Sequence, residues 1–271
     1  MSISGEEPGE DLVPVPKREE VYDGVVIYEY EDFVVQEPSY IVVGLPDTGL
    51  VGAISVTHIA SELGAIEVGG IDLPAMMPPM TLIRKGEPIP PIRLFLKDNV
   101  LLVLSEAPVP INYVYKLSKA IMEYSVKRRF KLLVSLTGIA SPSRYRDEKP
   151  RAYWAASGRE ALEKALSLGI ESFDEGILIG PYAVILKEAS KYRLNTIVLL
   201  AESFMDIPDP EAAATVLKVF SDLTGLKIDT TKLLEEAELI RLRMRELMKQ
   251  TTRTMSQMGK ELEAKHPVIY T

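Results

Sequence analysis

Apolar residues in this chain follow two rhythms. Short runs rich in Val, Ile, Leu and Tyr occur at residues 25–28, 40–43, 65–73, 100–104, 131–136 and 196–200 and predict strands. Between them, longer stretches keep a three-to-four spacing. Leu50, Val51, Ala53, Ile54, Val56, Ile59, Ala60 and Leu63 make residues 50–63 a largely buried helix, and further helices are expected over 111–129, 158–168 and 181–193. Strands that are apolar on both faces and alternate with helices predict an α/β fold, with a mostly parallel central sheet and helices on both faces.

Local signals mark the ends of these elements. The basic cluster Lys127-Arg128-Arg129 suits a helix C-terminus, Ser157 is placed to cap the 158–168 helix, and Gly169 stops it. Asp209-Pro210-Glu211 is a helix start: an aspartate cap, a proline at the first position and an acid near the positive end. That helix runs to about Leu223 and stops at Gly225. Four segments result. Residues 1–22, with Gly5, Pro8, Gly9, Pro14 and Pro16 among acids, read as a disordered lead, and 23–230 form the α/β domain. Residues 231–264 form one long helix with a seam at Ala237, Ile240, Met244 and Leu247, interrupted at Thr251 and resumed at Met255, Met258 and Leu262. Pro267 blocks its continuation, leaving 265–271 as a flexible, extended tail.

Composition narrows the chemistry. Acidic residues outnumber basic ones 39 to 31, a formal charge of −8, whereas a nucleic-acid binder needs a basic face. The chain has no cysteine, which excludes disulfides, thiolate nucleophiles and cysteine-ligated metals. No apolar run approaches the ~20 residues of a membrane helix, and the acidic start does not resemble a signal peptide. A cytoplasmic protein is the expectation, with no membrane partner.

Only His58 and His266 are available to a histidine-based catalytic machine. His58 falls in an apolar helix pattern and reads as a buried structural residue; His266 precedes Pro267 in the tail, and neither has a metal ligand at suitable spacing. The most enzyme-like segment is Gly44-Leu45-Pro46-Asp47-Thr48-Gly49-Leu50-Val51-Gly52, between a strand and a helix. Such a turn aims backbone N–H groups at an anion, which makes Gly44, Gly49 and Gly52 a candidate anion-binding turn. It lacks the Lys-Ser/Thr of a P-loop and the G-x-G of a dinucleotide site, and the structural reading is a tight turn with Gly52 permitting close packing. Glu202, Asp206 and Asp209 suggest an acidic cluster, although capping accounts for Asp209, and residues 141–146 read as a polar surface loop. No catalytic residue, metal or cofactor is indicated.

Two stretches resemble the PAC2 family, the relatives of proteasome assembly chaperone 2. Gly44 to Gly52 is similar to its G-x-P-x-x-G-L-V-G turn. Ile179-Gly180-Pro181, Leu199-Leu200-Ala201-Glu202, Asp209-Pro210-Glu211-Ala212-Ala213 and Leu226-Lys227-Ile228-Asp229 resemble its archaeal branch, departing at Pro181, where a small residue is usual. The resemblance covers residues 25–230. It implies a phosphorylase/hydrolase-like α/β fold without catalysis, forming a homo-oligomer that acts as a chaperone or ATP-independent activator of the 20S proteasome; a tetramer or pentamer is the size expected, which the resemblance does not fix. Ile269-Tyr270-Thr271 matches the hydrophobic-tyrosine-any motif that enters pockets of the α-ring. In such tails the terminal carboxylate, here on Thr271, pairs with a pocket lysine while the tyrosine, here Tyr270, packs at the rim. Two alternatives accompany this reading: an assembly chaperone for free α-subunits without gate opening, and an enzyme binding a phosphorylated small molecule at the Gly44–Gly52 turn.

Overall fold

The computed structural model describes residues 14–74, 82–84, 86–146 and 149–265. Ten strands form one sheet. In chain order they are β1 (Arg18–Tyr22), β2 (Val25–Glu29), β3 (Tyr40–Gly44), β4 (Ile66–Asp72), β7 (Ile92–Lys97), β8 (Val100–Ser105), β9 (Leu132–Ala140), β10 (Ala152–Ser157), β11 (Glu171–Ser172) and β12 (Thr196–Ser203), while β5 (Leu82–Arg84) and β6 (Glu87–Ile89) pair separately. The helices are α1 (Val51–Leu63), α2 (Ile111–Lys127), α3 (Arg159–Leu166), α4 (Pro181–Tyr192), α5 (Pro210–Thr224), α6 (Thr231–Glu235) and α7 (Ala237–Lys265).

The sheet order is β1-β2-β4-β7-β8-β3-β9-β12-β10-β11. It is mixed, which corrects the mostly parallel expectation. Only the block β8-β3-β9-β12 and the short β10–β11 pair are parallel; the other neighbours run antiparallel. The cause is local. β1 and β2 are joined by Asp23-Gly24, both at positive φ (48° and 83°), and β7 and β8 by Asp98-Asn99, with Asp98 at φ 47°. Two-residue turns of this kind can join only antiparallel strands. The first hairpin also makes residues 18–22 an edge strand, where the sequence suggested the end of a disordered lead.

Side chains on β3 alternate between two cores, as a pleated strand requires. Tyr40 and Val42 meet Leu102, Val134 and Leu199 beneath α1 and α5, while Ile41 and Val43 meet Leu101, Leu133 and Val198 beneath α2 and α4. Helices therefore cover both faces, as the strand composition predicts. Each fully buried Val, Leu or Ile contributes roughly 1.5–3 kcal/mol, so this double-sided block dominates stability.

The helix boundaries hold closely, with two differences. The N-cap of α3 is Gly158 at φ 99°, with no side-chain cap from Ser157. The C-terminal helix is broken at Glu236 into α6 and α7. Ile240, Met244 and Leu247 pack against the α1/α5 core, and Met248 and Thr251 are buried, so the first half of α7 lies on the domain.

Candidate functional site

Because β3, β8, β9 and β12 are parallel, the segments after them emerge at one edge of the sheet, where ligands bind in open α/β folds. The Gly44–Gly52 turn lies there. After Gly44 the chain passes through a 3-10 turn, Thr48–Leu50, with Gly49 at φ 63° and Leu50 at φ 53°. A Cβ on Gly44 would lie 2.3 Å from the Gly52 carbonyl oxygen, one on Gly49 1.9 Å from Ser203 Oγ, and one on Gly52 2.3 Å from the Leu136 carbonyl oxygen. All three glycines thus permit close approach of β3, α1, β9 and β12.

Several backbone groups of the turn are taken. The Leu45 N–H donates to the Tyr182 hydroxyl at 2.6 Å, that of Leu50 to the Asp47 carbonyl at 3.0 Å, and the Gly49 carbonyl accepts from the Asp209 N–H at 2.8 Å. What the turn presents is Asp47, 7% exposed, whose Oδ2 accepts from the Thr137 hydroxyl. Burial pushes its carboxyl well above the usual range, opposed by hydrogen bonds from Thr137 and the Gly52 N–H. Its Oδ1 has no partner.

The other acids at this edge are engaged. Asp209 is fully buried, caps α5 by accepting from the Ala212 N–H, and receives Arg144 through Nε and Nη2, both at 3.0 Å. Arg144 is 3% exposed, also donates to Glu211 at 2.8 Å, and lies over the Phe204 ring. The expected surface loop at 141–146 is therefore a clamp built around a buried cation, and no sequence signal distinguished Arg144 from its neighbours. Glu202 binds Arg151 and Ser141, and Asp206 accepts from Tyr145. Asp209 and Glu211 share Arg144 while Glu202 and Asp206 go to other partners, and no metal-holding group of His, Cys, Asp or Glu occurs among the described residues. His58 is half-buried, with Nε2 2.6 Å from the Asp229 carbonyl oxygen, a structural position rather than a deeply buried one.

A cavity of about 400 Å³ opens beside the turn, between the starts of α2 and α4 and the second half of α7. Its walls include Leu45, Asp47, Val114, Pro181, Thr251 and Lys260. Pro181, the departure from the family pattern, occupies the first position of α4, where its missing N–H is harmless. Thr251, the interruption in the apolar seam, is 1% exposed with its hydroxyl unpartnered. Ile269, Tyr270 and Thr271 lie outside the described residues, a few positions beyond the end of α7.

Known proteins place this architecture. The sequence profile of the PAC2 family matches residues 41–248. Pyrococcus furiosus PbaA, an archaeal homologue of proteasome-assembly chaperone, is 32% identical, aligning over 82% of this chain and 98% of its own with a TM-score of 0.75. A Methanocaldococcus jannaschii protein is 28% identical over 225 residues, 83% of this chain and 92% of that one. Pyrococcus furiosus PbaB, an archaeal proteasome activator, shares the fold at 22% identity, with a TM-score of 0.69 over 83% of this chain and 98% of its own. With most of its α/β domain matched by the profile, and with the likeness to PbaA extending over four-fifths of its length, the chain belongs to the PAC2 family.

Proposed function

We propose that this protein is a non-enzymatic, ATP-independent partner of the 20S proteasome that docks on the α-ring through Ile269, Tyr270 and Thr271. The observation that carries this reading is the 32% identity to PbaA across 82% of the chain. Two features support it. The acids at the carboxyl edge of the sheet are mostly committed to capping, ion pairs or a tyrosine hydroxyl, which leaves little for catalysis. α7, 29 residues and so about 43 Å long, leads from the domain towards the tail.

A single three-residue tail offers few contacts and loses conformational freedom on docking, so its affinity is low. A homo-oligomer presenting several tails gains avidity of about 10²–10⁴ when their spacing matches the ring. Tails that bind the open gate more tightly than the closed one shift the gate without nucleotide. The test is peptide hydrolysis by purified archaeal 20S proteasome, with the intact protein and with a variant lacking residues 269–271. Stimulation that disappears with the tail is expected; equal stimulation by both proteins removes the docking role of the tail.

The description of PbaA as a homologue of proteasome-assembly chaperone fits a second reading as well, a chaperone that binds free α-subunits and leaves the assembled ring. It predicts no stimulation, and co-sedimentation with isolated α-subunits in preference to whole 20S particles.

A further inference from the structure

The cavity beside Asp47 has the size, polarity and charge of a ligand site. Its volume, about 400 Å³, lies within the ~300–1,000 Å³ span of small-molecule sites. At ~30 Å³ per water-sized group it holds about a dozen heavy atoms. Leu45, Pro46, Val109, Val114, Ile179 and Met205 supply apolar walls, which suit a hydrocarbon chain.

The polar lining lies largely on one element. Thr251, Thr254, Ser256 and Lys260 all come from α7. Lys260 brings an ammonium to the lining, whereas Asp47, the acid there, is driven by burial towards its neutral form. Gly180 and Pro181 bring the start of the 12-residue α4 to the same cavity, and that end carries no side-chain cap. An uncapped helix N-terminus and an ammonium both favour an anion. Two lining residues more than nine-tenths buried, Asp47 and Thr251, each carry an oxygen without a protein partner, a rarity in a folded interior. One ammonium and one helix end match a single negative charge better than the −1.5 to −2 of a phosphate monoester.

We propose that this cavity binds a medium-chain carboxylate, with its chain against Leu45, Val109 and Val114 and its head towards Lys260 and the α4 N-terminus. Because α7 forms one wall, the bound ligand ties that helix to the domain.

The experiment is isothermal titration of the full chain with sodium decanoate below its micelle-forming concentration, with 1-decanol and decyl phosphate as comparison ligands. Saturable binding of one decanoate per chain is expected, at least fivefold tighter than either comparison ligand. Lys260→Glu, at an exposed position, should weaken decanoate about tenfold. Val114→Trp should abolish binding by filling the cavity, and Ser256→Trp serves the same purpose from the exposed face of α7 if the first variant does not fold. Hydrogen exchange should show slower exchange at residues 251–260 when decanoate is bound. No saturable binding by the wild-type chain, or equal binding by the Lys260→Glu and Ser256→Trp variants, overturns the proposal. Tighter binding of decyl phosphate overturns the choice of a carboxylate.

Discussion

Two strand-to-helix turns at the same edge of the sheet each bury an aspartate, and they treat it in opposite ways. After β12, Asp209 has a backbone N–H from Ala212 and a two-pronged guanidinium from Arg144, so its charge is fully met. After β3, Asp47 has Thr137 and the Gly52 N–H but no cation, and one oxygen is left over. The first arrangement locks the β9–β10 connection onto α5. The second keeps a half-satisfied acid, which burial drives towards its neutral form, beside a cavity. Burial of the same side chain thus yields a fastener in one turn and a polar lining group in the other, according to whether an arginine is within reach.

Substitutions can break this contrast, and the largest effect should come from the locked side. Arg144→Met leaves the Asp209 carboxylate buried without its cation and should destabilise by about 3–5 kcal/mol in urea denaturation. Adding Asp209→Asn, which keeps the cap but removes the charge, should recover a substantial part of that loss; a double variant no more stable than Arg144→Met would show that the ion pair is not what fastens the loop.

Gly52→Ala attacks the other turn sterically. Its Cβ would stand 2.3 Å from a backbone oxygen that cannot rotate away, so a loss of about 3 kcal/mol is expected from thermal unfolding.

Asp47→Asn sharpens the comparison by its sign. Between the ordinary unfolded carboxyl value, about 3.9, and the raised native value, the folded state holds a proton that the unfolded chain has lost. Wild-type stability therefore falls as pH rises through that window, whereas the asparagine variant escapes this decline. Denaturation at pH 4 and pH 7 should show the variant gaining on wild type by about 1–3 kcal/mol at the higher pH, the scale of a buried unpaired polar group. A gain at pH 4 that vanishes at pH 7 contradicts the assignment. The smallest effect belongs to Glu211→Gln: this half-exposed second partner of Arg144 should change stability by less than about 1 kcal/mol.

Much of the domain was legible in the chain because local chemistry decided it. Asp209-Pro210 begins α5 and Gly225 ends it at φ 75°, as a cap, a first-position proline and a left-handed stop require. The run at 40–43 is buried on both faces. The Asp23-Gly24 turn, which makes β1 and β2 a hairpin, was also written in the sequence, but the acidic, proline-bearing lead masked it. The candidate site was less legible. Gly44, Gly49 and Gly52 announce a tight turn, yet their neighbours, Ser203 and Leu136 among them, lie far away in sequence.

The sequence by itself determined where most helices start and stop, which apolar runs form strands, and the family resemblance carried by the Gly44–Gly52 turn. These depend on dihedral preferences, caps and hydrophobic spacing within a few residues. Only the tertiary structure decided that the sheet is mixed, that Arg144 is a buried clamp and that Asp47 lacks a cation. It alone closed α7 over a cavity at the sheet's carboxyl edge. Those outcomes depend on which groups meet across about 65 to 140 positions of chain, as Arg144 meets Asp209 and Tyr182 meets Leu45, and residue spacing does not encode such meetings.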